Sequence, residues 1–228
     1  MRRVSSLLLS VALVGLLTAG VQASPIVQIQ PFGPSTPNFN QTLTFNQFNG
    51  ALSDLISVEV ELVLNIAGGF LIVDNDGAQP ATVTVALGAT GAISSVDVIL
   101  LNNLFQPVVA PVNVATGNTF DLAADDGDGP MNVDPNAPDG ATHLGGVGSN
   151  LGSGFINPAF HAGFVGAGTF DILADVTQIL NFGGVGGVEG SYGPVLADGY
   201  VKVVYNYIPE PATALLLGLG LLGLIRRR

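Results

Sequence analysis

Between residues 56 and 66 the chain alternates. Ile56, Val58, Val60, Leu62, Leu64 and Ile66 are apolar, and Ser57, Glu59, Glu61, Val63 and Asn65 fall between them. A period of two with carboxylates on the second face predicts a half-buried antiparallel strand. A helical period would put Glu59 and Glu61 on the same side as the core residues. Weaker versions of the pattern predict strands over residues 42–48, 70–73, 82–87, 96–101, 108–114, 168–180 and 200–207. Turn formers separate them: Asn49-Gly50, Asp76-Gly77, Gly88, Asn102-Asn103, Asn118 and Asp198-Gly199. Many short strands at this spacing predict an all-β chain, a single antiparallel β-sandwich or jelly-roll-like domain over residues 41–207. No internal period points to a solenoid or propeller. Helical patterns occur only at the two ends.

Two stretches lack the alternation. Residues 24–40 carry Pro25, Pro31, Pro34 and Pro37 and read as an extended lead-in, with an edge strand over residues 26–30. Residues 125–154 are rich in Asp, Gly, Pro and Asn and read as one long loop. A loop of that length in a compact domain is usually functional.

The N-terminus has the form of a secretory signal. Arg2 and Arg3 precede an apolar run over residues 7–19, and Val21-Gln22-Ala23 sets small or modest side chains where a signal peptidase reads. Residues 1–23 are therefore expected to be removed by cleavage between Ala23 and Ser24. A retained membrane helix is the competing reading. The apolar run is short for a span, and no polar stop-transfer flank follows. Val4-Ser5-Ser6-Leu7 does not extend a twin-arginine pattern, which favours general secretion.

The C-terminus has three parts in order: Pro209-Glu210-Pro211, an uncharged stretch over residues 212–225, and Arg226-Arg227-Arg228. At ~1.5 Å per residue the apolar stretch spans about two-thirds of a ~30 Å hydrocarbon core, so snorkelling arginines or local thinning must make up the difference. Three arginines hold that end in the cytoplasm, which leaves the body outside the inner membrane. This arrangement over residues 208–228 resembles the PEP-CTERM sorting signal, a region also labelled ice-binding protein C-terminal domain. The resemblance implies processing by exosortase, a transpeptidase-like membrane enzyme of bacteria that make an exopolysaccharide matrix. The expected course is an inner-membrane precursor, transiently anchored, then a cell-surface or extracellular product.

Charge changes the picture once the ends are set aside. The whole chain has 6 Lys and Arg against 17 Asp and Glu. Lys202 is the one cation outside the two ends, and sixteen carboxylates accompany it. Such a body cannot neutralise phosphates, which excludes nucleic-acid binding and anionic lipid surfaces. There is no cysteine, hence no disulfide, thiolate nucleophile or lipoprotein anchor.

The body over residues 26–207 is similar to the choice-of-anchor E domain. Phe45-Asn46-Gln47-Phe48-Asn49-Gly50-Ala51-Leu52 leads into Leu55 and the alternating strand, an asparagine-containing strand follows over residues 71–81, and an aromatic final strand lies over residues 201–207. Ser53-Asp54 departs from the family's Gly and small polar residue. The resemblance implies a β-sandwich surface module.

Candidate chemistry concentrates in Asp121, Asp125, Asp126, Asp128, Asp134 and Asp139. Asp-Gly-Asp-Gly spacing lets carboxylates and carbonyls converge on a hard cation, with calcium as the candidate cofactor and Asp125, Asp126, Asp128 and Asp134 as its ligands. An EF-hand is not formed, because Pro130 takes the fifth position and no glutamate closes the loop. The plainer reading is a solvated acidic loop. Asp74-Asn75-Asp76 reads as a hairpin tip. With sixteen acids, some carboxylate pair will always be close, so a glycosidase pair is not argued. His143 and His161 are isolated in sequence, and no Gly-x-Ser-x-Gly nucleophile elbow occurs. Glycine runs at 145–149 and 183–186 lack the lysine of a phosphate loop. Two short threonine pairs, Thr42/Thr44 and Thr82/Thr84, are too few for an ice-binding array. The expectation is a non-enzymatic surface or matrix protein, with exopolysaccharide as the candidate partner. A calcium-dependent carbohydrate-binding module is the alternative, and a glycan hydrolase the third.

Overall fold

The computed structural model describes residues 24–129, 132–183 and 186–208. Ala23 with the signal segment, and Pro209, Glu210, Pro211, Arg226, Arg227 and Arg228 with the tail, lie outside the described residues, as do both expected terminal helices.

The strands run β1 (Ser24–Ser35), β2 (Phe39–Asn46), β3 (Leu55–Ala67), β4 (Phe70–Asn75), β5 (Ala81–Ser94), β6 (Val112–Leu122), β7 (Gly140–Leu144), β8 (Val147–Phe155), β9 (Thr169–Gly183), β10 (Val188–Gly193) and β11 (Leu196–Tyr207). They form a front sheet of order β1-β11-β3-β8, a back sheet β2-β9-β5-β6 and a small sheet β10-β4-β7. Every pairing between these strands is antiparallel. The chain is an all-β antiparallel sandwich.

The alternation of β3 explains the main core. Val58, Val60, Leu62, Leu64 and Ile66 point inward with Val201, Val203 and Tyr205 of β11 and pack with Leu87, Ala89, Ile172, Ala174 and Val176 of the back sheet. β5 is long enough to serve two cores. Its second half joins this one, while Ala81, Val83 and Val85 pack with Leu71, Val73 and Leu122 beneath the small sheet.

Four departures from the sequence reading have physical causes. At the start of β3, Tyr207 pairs with Leu55 while Asn206 pairs with Ser57, so Ile56 is the extra residue of a bulge. Leu55 turns in, and Ile56, expected inside, is 48% exposed. The edge strand expected over residues 26–30 of the lead-in is longer than expected: β1 spans Ser24–Ser35 and pairs with β11 along most of its length. Its prolines are tolerated because β1 is an edge. The supposed loop over residues 125–154 contains β7 and most of β8. β8 hides because its inward positions are glycines: a Cβ at Gly148 would lie 2.7 Å from Val114 Cγ1, and one at Gly154 2.2 Å from the Val108 carbonyl oxygen. Its apolar residues, Val147, Leu151 and Phe155, face out. Finally, residues 96–101 form no strand. Ser95 Oγ accepts from Asp97 N and Val98 N, both at 3.2 Å, and turns the chain there. Pairing resumes later than expected, at Val112.

Val60 is fully buried. Val60→Asp is expected to lower the melting temperature by more than about 10 °C or abolish cooperative melting, because it buries an unpaired charge. Ile56→Asp is expected to change it by no more than about 2 °C. Thermal melts followed by circular dichroism measure both, and equal losses at the two positions would contradict the bulge.

Candidate functional site

The chain leaves β6 at Leu122 and enters β7 at Gly140, and the intervening segment is tied to the end of β4 by a few main-chain bonds. Ala123 N donates to Pro138 O at 2.9 Å, Asp125 N to Gly77 O at 3.0 Å, and Asn75 N to Asp139 O at 3.1 Å. Asn75 is buried at the centre of this knot. Its Nδ2 donates to Gln79 O at 2.9 Å and to Ala123 O, and its Oδ1 accepts from Gly77 N at 3.1 Å. Two buried aspartates hold the rest. Asp139 Oδ2 accepts from Asp126 N at 2.7 Å, and Asp74 Oδ2 from Asp134 N at 2.8 Å. Gly140 leaves no space for a side chain: a Cβ there would sit 2.0 Å from Asp134 O.

This packing brings two carboxylate triads together. Asp125, Asp126 and Asp128 each offer an oxygen within 4.8 Å of the others, and so do Asp74, Asp76 and Asp128. Asp128 belongs to both. Asp134 joins neither, since its carboxylate accepts from Asn136 N at 2.9 Å and from Asn136 Nδ2. The second triad was hidden in the sequence because Asp74 and Asp76 stand some fifty residues from Asp128. Nor is Asp74-Asn75-Asp76 a hairpin tip, for it carries the chain from the small sheet to the back sheet. The readable signal was Asp-Asn-Asp directly after the apolar run of β4.

Electrostatics set this place apart. Burial pushes the Asp74 carboxyl above the ordinary carboxylate value, with Asp128 and Asp139 adding to the rise. Burial does the same to Asp76, helped by Glu189, Asp74, Asp128 and Asp125. Asp126 is raised first by Asp139 and then by burial. Asp76 Oδ2 is buried and accepts no hydrogen bond from the described residues. Lys202 is elsewhere, 2.7 Å from Glu61 Oε2 on the front sheet. The donor set is all oxygen, which suits calcium, and main-chain carbonyls of the same segment could complete a coordination of six to eight. Asp76, Asp128 and Asp74 would hold such an ion, which would supply the charge balance the chain lacks.

The histidines do not take part. His143 Nε2 lies 3.1 Å from Thr116 Oγ1, and buried His161 has its Nε2 3.3 Å from Ile156 O.

With the geometry set out, comparison with known proteins adds one firm point. Residues 208–228 match the PEP-CTERM protein-sorting motif. That motif therefore begins one residue after β11 ends. No curated protein matches the chain. Among solved structures, that of the infectious bursal disease virus Gx strain is 15% identical with a TM-score of 0.14, covering 85% of this chain and 43% of that one. The VP2 subviral particle of the same virus is 12% identical with a TM-score of 0.13, covering 90% and 50%. The chain thus spans half or less of these structures, and likenesses this weak carry no argument.

The raised values have a thermodynamic sign. The folded site holds protons more tightly than the unfolded chain, so its penalty is greatest above the raised values and is relieved as pH falls through them towards 3.8. With a chelator present, Asp74→Asn is expected to melt above the unsubstituted protein at pH 7, and the gap is expected to close as the pH approaches 4. A gap that is independent of pH would contradict the raised proton affinity of Asp74.

Proposed function

We propose that this is an exported, exosortase-sorted surface or extracellular-matrix protein whose β-sandwich is non-catalytic and associates with exopolysaccharide. The observation that carries the reading is the PEP-CTERM motif placed directly after the last strand of a closed sandwich. On this reading signal peptidase acts between Ala23 and Ser24. The tail then holds the precursor in the inner membrane, and exosortase acts at Pro209-Glu210-Pro211 before passage to the surface. Similarity of the body to the choice-of-anchor E domain supports the reading: Phe45 and Phe48 of the opening motif are buried in the main core, as is Tyr205 of the aromatic final strand. Two surface clefts of the described residues each carry a single carboxylate. One is lined by Asp97 with residues 93–101 and Pro107, the other by Asp54 with Ile26, Phe48, Tyr207 and Ile208. The ice-binding label attached to the tail adds nothing to the reading.

A second reading, a calcium-dependent carbohydrate-binding module, is favoured by the orphaned Asp76 Oδ2 beside Asp74 and Asp128. Calcium that binds only the folded state stabilises it by about 2.7 kcal/mol at a hundredfold excess over Kd.

Two experiments test these readings. Replacement of Pro209-Glu210-Pro211 by alanines is expected to leave an unprocessed, membrane-held precursor in a strain with exosortase, and normal processing and release would sink the sorting assignment. Millimolar calcium is expected to raise the melting temperature by several degrees, magnesium less, and Asp76→Asn with Asp128→Asn to abolish the rise. Equal stabilisation by sodium at matched ionic strength would leave only general screening of a polyanion.

A further inference from the structure

The two ends of the sandwich differ in kind. At one end β3 and β6 begin, and β5, β8 and β11 finish. The connections there are joined to one another and to the point where the tail departs. Ile208 N donates to Asp54 O and Phe48 N to Phe164 O, both at 2.8 Å, and Asn157 N donates to Leu101 O at 2.8 Å. Phe105 meets Phe160 edge-on at 6.1 Å. These connections carry large apolar side chains in water: Val96 is 100% exposed, Leu104 75% and Phe105 66%, with Leu52 and Ile208 also exposed. Their two carboxylates are engaged, Asp97 Oδ2 by Asp171 N at 2.8 Å and Asp54 Oδ1 by Ser53 Oγ at 3.3 Å. The opposite end, where β5 begins and β6 and β9 finish, holds the carboxylate triads.

Chain length fixes which end meets a membrane. From Ile208 to Ala212, the first residue of the uncharged stretch, are four residue steps, or at most about 14 Å fully extended. The polar layer of a bilayer is only about 5–8 Å thick on each side. A second exposed apolar set, including Leu196 and Val147, lies at the far end of β11 and β3. It is about 37 Å along the strand from Tyr207 and beyond that reach.

We propose that, while the tail is in the membrane, this end of the sandwich rests on the lipid surface, with Val96, Leu104 and Phe105 at the boundary of headgroups and acyl chains. The partner is the bilayer itself, recognised by apolar insertion and not by charge, since no Lys or Arg lies on these connections. The acidic end then points away from the anionic lipid surface, which removes the repulsion that a −1 per carboxylate cluster would meet there. The proposal rests on the tail reading given above.

The absence of cysteine gives a clean test, because each introduced thiol is unique. The full-length precursor is reconstituted in phosphatidylcholine vesicles as Val96→Cys, Leu104→Cys, Gln79→Cys and Leu217→Cys, each labelled with a nitrobenzoxadiazole fluorophore. Gln79 is exposed at the acidic end, and Leu217 lies in the tail. A nitroxide carried on the lipid chains is expected to quench labels at 217, 96 and 104 by at least about twofold and to leave the label at 79 unchanged. Quenching at 217 without quenching at 96 and 104 overturns the proposal and leaves the tail reading standing. No quenching at 217 overturns the tail reading, and this proposal with it. Labels at 96 and 104 that are shielded from aqueous iodide but untouched by the lipid nitroxide show a second copy on this end, which also overturns it.

Discussion

The body depends on the placement of its last strand. β11 lies between β1 and β3 and pairs with both along most of its length. Its inward residues Ala197, Val201, Val203 and Tyr205 are buried in the main core. Burial also forces a partner on the Tyr205 hydroxyl, which donates to Asn46 O at 3.0 Å and so ties the front sheet to the end of β2. Without β11, β1 has no partner and β3 exposes one edge, each with a row of unpaired backbone groups.

How much of this was legible follows from where side chains are needed. β3 announced itself because one face is buried against the back sheet and the other carries Glu59 and Glu61, so burial wrote a period of two into the sequence. β8 and β10 wrote nothing comparable. Close approach of another segment or ring, such as Val108 over Gly154 and Phe182 over Gly190, demands glycine, and glycine has no hydropathy to alternate. The prolines of β1 concealed its full extent, not its existence, because an edge position permits them. The acidic segment was legible as a cluster because its residues are neighbours. Asp74 and Asp76 were not, because what brings them to Asp128 is a set of long-range bonds: Asn75 Nδ2 to Ala123 O, Asp134 N to Asp74 Oδ2 and Asp125 N to Gly77 O.

Charge distribution links the site to the rest. The single cation of the body is spent on Glu61, where Tyr200 Oη also donates to the same carboxylate at 3.2 Å. No second Lys or Arg of the body is left to neutralise the triads; burial raises the proton affinities of Asp74 and Asp76, and Asp139 that of Asp126, with neighbouring carboxylates adding to each. One end carries the carboxylate triads. The opposite end exposes Val96, Leu104 and Phe105. The sandwich separates these two surfaces along its strands, and on the proposed reading one would face the lipid and the other the medium.

The same topology couples folding to sorting. Export proceeds from the N-terminus, so β1 and β3 emerge long before the strand that must lie between them. β1 and β11 are some 170 residues apart in sequence, and non-local pairing of this kind is slow to form. The sandwich cannot close until Leu196–Tyr207 has crossed, and by then the PEP-CTERM motif, beginning at residue 208, is at the membrane. On the proposed sorting route, a tail dwelling in the bilayer would hold an incomplete sheet, with two open strand edges, at the surface while the last strand inserts. Release by cleavage after that step frees a closed body; release before it would free unpaired edges able to template aggregation. A transient membrane anchor is therefore suited to a fold whose final strand is central.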